Sequence, residues 1–511
     1  MSVHHSNRSL DTQQHISLNL EPNDTPHFTK ETKPAESMIP LDPNIVSWEG
    51  DRDPANPMNW PTWKRVVNVG VISALTLLTS LGSVIFAPGV PQLMVEFGDE
   101  NELLAGFVVS VFVLGFAFGP LFLAPLSELY GRVWVYQVCN VGFVIFTVAC
   151  AVSTNIGMLI GFRLLQGIAG AAPTANGGGT VGDTVPQKHR GVALSIYALA
   201  PLLGPVIGPV AGGFLAEARG WRWDFWALAV TAGSLTLISF FALHETYPVV
   251  ILERKAARMR KQTGNQALRS KLAPAGDMSA PQHFLRSILR PTKMLILSPI
   301  VLFLALYSGL AYGYQYLMLS TFTYVFERRY GFSTGVSGLS FLGLGVGSVL
   351  GLIIGPLSDR FIMPNVEAVD GVSGVSRKPE ARLIPLAYTA LFIPAGLFLY
   401  GWTVEYEIHW IVPIIGTGFL GFGILSVFFC VTIYSVDAFQ LYAASALAAN
   451  ALVRSTVGAL LPLAGQSLYG TLGYGWGNSL LGFIALAMLP ITLALLRYGE
   501  RLRLRFDVGK L

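Results

Sequence analysis

The chain has 511 residues, of which 52% are hydrophobic and 13% are charged. Soluble domains carry about 25% charged residues, so this composition excludes an ordinary soluble protein and indicates a chain that lies in a bilayer. The three cysteines, Cys139, Cys150 and Cys430, all fall in apolar stretches, where neither a disulfide framework nor a zinc cluster is expected. We therefore predict no metal, no cofactor and no nucleic-acid partner.

Residues 1–65 are polar and contain no apolar core, which predicts a disordered tail rather than a cleaved signal peptide. Apolar stretches of about 20 residues, the length that crosses a bilayer, then recur along the chain. We predict twelve membrane-spanning helices, at 66–88, 103–125, 133–153, 157–182, 191–217, 223–243, 297–322, 335–357, 381–401, 408–434, 444–469 and 475–497.

The polar stretch 244–296 divides these spans into two groups of six, at 66–243 and 297–497, followed by a short tail at 498–511. The sequence PLSE after the second span is echoed by PLSD after the eighth, which indicates a duplicated transporter. Lys and Arg collect in alternate loops, including 244–296 and the residues after the last span. The positive-inside rule therefore predicts that the central loop and both termini are cytoplasmic.

Several segments carry a resemblance to a known family. They are DPANPMNWPTWKR (53–65), LGSVIFAPGVPQLMVEFG (81–98), PLSELYGRVWVY (125–136), GFRLLQGIAGAA (161–172), LGPVIGPVAGG (203–213), WRWDFW (221–226), HETYPVVILERKA (244–256) and SALAANALVRSTVGALLPL (445–463). Together they resemble the major facilitator superfamily, and within it the fungal twelve-span drug:proton antiporters.

The resemblance implies an all-α integral membrane protein with two pseudo-symmetric six-helix bundles around a midplane cavity. It implies a functional monomer in the plasma membrane that is not an enzyme and that exports a small, largely apolar drug or metabolite in exchange for protons. Uptake of a nutrient by symport or facilitation is the alternative, and a non-transporting receptor is a third. The sequence lacks the phosphate-binding loop GxxxxGKS/T, so ATP hydrolysis is not the expected energy source.

Arg163 lies about eight residues into the fourth span, where a charge is costly, and Gln166 lies one turn away on the same face. The resemblance implies a role for Arg163 in proton coupling or anion recognition; the alternative is a structural tie to backbone carbonyls or a neighbouring side chain. Glu217 is our preferred proton-carrying residue, because antiparallel packing would place it within about two turns of Arg163. It is equally consistent with an interfacial acid paired with Arg219 or Arg222.

The fifth span contains the antiporter motif, in which each proline costs on the order of 3 kcal/mol inside a helix. Its prolines recur on one helical face, and its glycines form a stripe beside them. The residues are Pro201, Gly204, Pro205, Gly208, Pro209 and Gly212. We predict a close, bent contact between this stripe and a second one in the eighth span, formed by Gly343, Gly347, Gly351 and Gly355.

Short loops after the second and eighth spans provide candidate gating residues. A carboxylate there can cap a helix N-terminus or pair with basic residues of the other bundle, whereas a simple surface ion pair would contribute little. The candidates are Glu128, Gly131 and Arg132 in the first half, and Asp359 and Arg360 in the second.

Aromatic side chains and one amide in the seventh and tenth spans predict a cavity for a large, mostly apolar ligand. An interfacial aromatic belt or packing between helices is the alternative for each of them. The candidates are Tyr312, Gln315, Tyr316, Phe428 and Phe429. We also predict an intramembrane ion pair between Asp437 and Arg454, either as a structural tie or with a role in transport.

Overall fold

The computed structural model describes residues 44–50, 52–272, 280–362, 379–439 and 442–506. These residues are mostly helical, with one short parallel pair of strands, β1 (Ile45–Val46) and β2 (Arg269–Ser270). Eleven segments within them are long and apolar enough to cross a membrane, and the last, Ser445–Arg503, contains both the eleventh and the twelfth predicted spans. The prediction of an all-α membrane protein is confirmed.

The first six spans are built from seven helices, which we call the first bundle. A 3-10 turn at Ala87–Gly89, next to Pro88, interrupts the chain after the first of them. The helices are α1 (Thr62–Val84), α2 (Val90–Phe97), α3 (Glu102–Tyr130), α4 (Arg132–Ala151), α5 (Ile156–Thr184), α6 (Gln187–Arg219) and α7 (Arg222–Ala242).

The described residues of the second bundle form eight helices, because some of its spans are broken into two elements. They are α10 (Pro299–Tyr330), α11 (Thr334–Leu339), α12 (Phe341–Ile362), α13 (Ile384–Thr389), α14 (Phe392–Glu405), α15 (Ile411–Phe439), α16 (Ala443–Leu460) and α17 (Gly465–Arg505). Gly473 interrupts α17 with a φ of +72°, which glycine adopts without strain. The Glu405 carboxylate then accepts the backbone N–H of Tyr474 at 2.7 Å, so the twelfth span begins at a capped helix end.

The central stretch contains two helices rather than an extended loop, α8 (Pro248–Thr263) and α9 (Ala280–Leu297). The residues before the first span are also ordered. Asp53 accepts the backbone N–H groups of Glu49 and Ala55, and Lys255 of α8 lies 2.8 Å from the Glu49 carboxylate. The prediction of disorder is therefore wrong for residues 44–50 and 52–65, because α8 and β2 provide partners that the local composition does not reveal. Residues 1–43 and 51 lie outside the described residues.

We call the face at which α1 begins and α17 ends the terminal face, and the opposite one the distal face. Among the described residues, four hydrogen bonds that involve a side chain join the bundles, and all four lie in the distal half. Ser110 donates to the Ala459 carbonyl at 2.7 Å, and the Tyr316 hydroxyl donates to Ser83 Oγ at 3.1 Å. The other two end on Glu217, at the distal end of α6. The bundles are thus joined on the distal side.

Candidate functional site

Arg163 of α5 is fully buried, and its guanidinium is saturated by the first bundle itself. It donates to the carbonyls of Gly82 and Ser83 at 2.6 and 2.7 Å, and to Gln166 Oε1 at 3.1 Å. Gly82 and Ser83 lie in the last turn of α1, where carbonyls lack intrahelical partners and the helix dipole favours a cation. Arg163 therefore completes the C-terminal end of α1.

Aromatic rings enclose the same guanidinium. Its central carbon lies 4.5 Å from the ring centroid of Phe86 and 4.7 Å from that of Phe112. Cation–π contacts of this kind contribute about 0.5–2 kcal/mol each and exclude water from the charge. Gln166 in turn donates to Thr147 Oγ1 at 2.7 Å, so the polar cluster extends from α1 through α5 to α4. A role of this cluster in proton coupling stays a prediction.

Glu217 does not hydrogen-bond to Arg163. Its carboxylate accepts the backbone N–H of Gly335 at 2.6 Å and the hydroxyl of Ser333 at 3.0 Å. It therefore caps the first turn of α11 in the second bundle. The alternative pairing of Glu217 with Arg219 or Arg222 is also not seen among the described residues. Arg222 pairs with Glu96, and Arg219 lies over the Trp223 ring. The geometry gives Glu217 a bridging position between the bundles on the distal side, and its role as proton carrier stays a prediction.

The glycine stripe of the fifth span packs against the first span, not against the glycines of the eighth. A Cβ atom on Gly204 or Gly212 would collide with Ser80 or with the Ile85 carbonyl, and one on Gly208 would lie 3.1 Å from Val84. Ser80 also donates to the carbonyl of Pro201 at 2.8 Å. The prolines Pro201, Pro205 and Pro209 all lie inside the continuous helix α6.

The predicted contact between the two stripes is therefore wrong. Gly343, Gly347 and Gly351 of α12 pack against α15 instead, while the surroundings of Gly355 lie outside what the structure describes. The fifth and eighth spans do meet, but through other atoms: a Cβ on Gly338 would lie 2.6 Å from the Pro209 carbonyl, and one on Gly345 would lie 2.5 Å from Val206. A stripe of small residues specifies close approach without specifying the partner.

Two acidic residues that the gating prediction did not include accept hydrogen bonds from the turn between the second and third spans. Arg132 Nε donates to Asp183 Oδ2 at 2.6 Å, and the Arg132 backbone N–H donates to Glu245 Oε1 at 3.0 Å. Glu245 therefore caps the N-terminus of α4, the role predicted for Glu128. Gly131 has a φ of +102°, and a Cβ there would collide with the Glu245 carboxylate.

Glu128 itself is exposed, and its negative charge interacts with the phenol of Tyr247. Burial raises the pKa of the Tyr247 phenol, and the negative charge of Glu128 raises it further. The second-half candidates, Asp359 and Arg360, have side chains outside the described residues. The acids Asp183 and Glu245 follow the ends of the fourth and sixth spans in the sequence, which was the available signal for this cluster.

Three of the predicted cavity residues form one aromatic cluster. The ring centroid of Tyr312 lies 4.9 Å from that of Tyr316 and 5.7 Å from that of Phe428. Gln315 is buried, and Phe429 is partly buried against the core of the second bundle. A role of these side chains in substrate binding stays a prediction.

The predicted ion pair between Asp437 and Arg454 is wrong. Asp437 instead accepts from Arg382 Nε at 2.9 Å. The Arg454 guanidinium carbon lies 5.2 Å from the Tyr312 ring centroid and 5.3 Å from that of Phe428. The structure therefore adds a cation to the aromatic cluster, and sequence spacing missed it because Asp437 has a nearer basic partner from a segment distant in sequence.

Residues 72–462 match the family described as the Major Facilitator Superfamily. The chain is 55% identical over 520 residues to the MFS-type transporter tndD of Aspergillus flavipes, covering 99% of this chain and 96% of that protein. It is 53% identical over 464 residues to the Efflux pump radE of Floropilus chiversii, covering 90% and 85% of the two chains.

Solved structures share the fold at much lower identity. A D-xylose-proton symporter is 16% identical with a TM-score of 0.60, over 83% of this chain and 96% of that one. The xylose transporter XylE from E. coli, in a partially occluded inward open conformation, is 16% identical with a TM-score of 0.61, over 86% and 98%. At this identity the likeness shows the fold alone.

Proposed function

This chain belongs to the major facilitator superfamily, and we propose that it exports a small organic compound in exchange for protons. One structural observation carries the transport mechanism. The bundles are hydrogen-bonded to each other in the distal half, through Tyr316–Ser83, Ser110–Ala459 and Glu217. A transporter that alternates between two states must break such contacts on one side while it forms others on the opposite side.

The direction of transport rests on two supports. A relative with 53% identity is named an efflux pump, and the proline- and glycine-containing fifth span resembles the antiporter motif. Basic residues on the terminal face favour a cytoplasmic location for both termini. In that orientation the distal contacts close the outer side, and the substrate enters from the cytoplasm. We propose a plasma-membrane protein that works as a monomer, with a drug or a metabolite as substrate.

Proton coupling requires a group that changes its protonation state during the cycle. Arg163 and Gln166 form the polar cluster of the first bundle, and Asp183 pairs with Arg132 at the terminal end of α5. We propose that a change in the separation of the bundles alters the surroundings of these groups. Glu217 is at the distal contact, where it would be released when the bundles separate.

Inside-out membrane vesicles test the proposal. The probe is an organic extract of culture medium from the organism that carries this gene, and mass spectrometry identifies the compounds that the vesicles accumulate. We expect accumulation of at least one compound when the vesicle interior is acid, and its loss when a protonophore is added. Accumulation that requires an alkaline interior would support proton-coupled uptake instead. Absence of gradient-dependent flux in vesicles that contain the folded protein would contradict transport.

A further inference from the structure

We propose that Arg454 is the anion-binding residue of the substrate site, and that the transported compound carries a carboxylate or an equally acidic group. This proposal deepens the proposed function and depends on it in one respect, namely that a small molecule enters between the bundles. The sequence presented Arg454 as half of an ion pair. Among the residues that the structure describes, no carboxylate pairs with its positive charge.

The two intramembrane arginines differ in how many of their N–H groups have acceptors. The Arg163 guanidinium donates to backbone carbonyls of α1 and α3 and to Gln166, so its donors are occupied. Arg454 makes no hydrogen bond or ion pair with any described residue, and its Nε is buried without an acceptor. Guanidinium stays protonated in proteins and offers five N–H donors, so Arg454 has unused binding capacity.

The aromatic residues of α10 show where Arg454 lies relative to the first bundle. Tyr312 and Tyr316 lie one turn apart on the same face of α10. The Tyr316 hydroxyl reaches Ser83 of the first bundle, and the ring of Tyr312 lies 4.9 Å from that of Tyr316. Arg454 contacts Tyr312 from α16. Arg454 therefore lies next to the surface that faces the first bundle, one turn from the distal contact toward the terminal face.

The side chains around Arg454 indicate which ligand chemistry the site would bind. The ring centroids of Tyr312 and Phe428 lie 5.2 and 5.3 Å from the guanidinium carbon. The two rings provide apolar surface for the body of a ligand, but no acceptor of full negative charge. Arg454 is half-buried and its Nε is fully buried, and a charge withdrawn from water is costly unless it is paired. A carboxylate that enters this site therefore gains a charge-assisted contact, which the planar guanidinium can make bidentate. An apolar molecule with one acidic group matches both features.

The test is a binding measurement on purified protein in detergent, with 1-pyrenebutyrate and its neutral amide as the matched probes. We expect the wild-type protein to bind the carboxylate more tightly than the amide by about tenfold, and Arg454→Gln to abolish this preference while amide binding is kept. Arg454→Lys should retain part of the preference, because it keeps the charge but not the planar fork. Arg497→Gln is the control, since Arg497 also contacts a tyrosine ring but is exposed.

Equal binding of the two probes by the wild-type protein, binding of neither, or a preference that survives in Arg454→Gln would overturn the proposal. Thermal unfolding of each variant shows whether it is folded. If Arg454→Gln is unfolded, the probe preference of Arg454→Lys is compared with that of the wild-type protein instead. The measurement uses no gradient, so it is independent of proton coupling. A carboxylate preference in a protein that fails the vesicle assay would reject export while the anion site stands.

Discussion

The Tyr316 hydroxyl of the second bundle donates a hydrogen bond to Ser83 Oγ of the first bundle at 3.1 Å. Ser83 also offers its carbonyl to Arg163 at 2.7 Å. A single residue at the end of α1 thus connects the buried arginine of the first bundle with the aromatic cluster that surrounds Arg454. Separation of the bundles on the distal side must break the Tyr316 bond but leaves the Arg163 bond within its bundle.

Tyr316→Phe should therefore shift the protein toward a state that is open on the distal side. A buried hydrogen bond contributes about 1 kcal/mol, so we expect a shift of about fivefold in the equilibrium between states. Distances between spin labels at Ala218→Cys and Val336→Cys, both exposed near the distal face, would measure it. Tyr314→Phe is the matched control, because the Tyr314 hydroxyl bonds to Leu481 within the second bundle. The same label distances in both variants would contradict the prediction.

Removal of Arg163 should destabilise the first bundle as well as stop transport. Arg163→Ala leaves the Gly82 and Ser83 carbonyls without their donor in a buried site, at a cost of about 1–3 kcal/mol for each group. Thermal inactivation in detergent measures the stability, and flux in proteoliposomes measures the activity. Arg163→Lys keeps the charge with fewer N–H donors, so its stability and flux should lie between those of the wild type and of Arg163→Ala. Unchanged proton-driven flux in a stable Arg163→Ala protein would remove Arg163 from the coupling mechanism.

Gly212→Ala tests the packing of the fifth span on the first. Its Cβ would collide with the Ile85 carbonyl, which is backbone and cannot rotate away, so the helices must separate. Overpacking of this kind typically costs about 1–3 kcal/mol. Gly233→Ala in α7 is the control, because no atom lies within 4 Å of its Cβ position, and alanine favours a helix over glycine by about 1 kcal/mol. The temperature of thermal unfolding should fall for Gly212→Ala and should not fall for Gly233→Ala.

Glu245 should hold the turn at Gly131 through its cap on α4. Glu245→Ala removes acceptors from the backbone N–H groups of Arg132 and Val133, and a lost helix cap costs about 1 kcal/mol. Glu253→Ala on α8 breaks only the partly exposed contact with Arg260 and should change stability by less than about 0.5 kcal/mol. Thermal unfolding of the two purified variants compares these costs. Equal effects would show that Glu245 does not act as a cap.

Docking of the segment before the first span should weaken in acid. The Glu49 backbone N–H bond to the Asp53 carboxylate keeps the pKa of Asp53 below its usual value, despite the opposing effect of desolvation. A lowered pKa stabilises the docked state above the unfolded value of about 4, and this contribution is lost as pH falls through the folded value. The mobility of a spin label at Ile45→Cys should rise over that range. In Asp53→Asn the label should be mobile already at pH near 7 and insensitive to acid.

The sequence alone determined the spans, the all-α fold and the positions at which charge and small residues interrupt the apolar helices. These features are local: hydropathy over about 20 residues defines a crossing, and a 3.6-residue period defines a face. The same locality identified Arg163 with Gln166 as one polar pair, and it identified the aromatic residues of the seventh span as candidates. It also identified Gly131 as a turn position.

The tertiary structure decided which element each face meets. Period and composition place Gly204, Gly208 and Gly212 in a stripe, but a stripe of this kind can accept any helix, and the fold brings α1 to it. Charge alone gave Arg454 a carboxylate partner in Asp437, whereas the fold pairs Asp437 with Arg382. The packing of whole helices determines which residues far apart in sequence become partners. In the part of the chain that the structure describes, that packing places Arg454 next to two rings and no carboxylate.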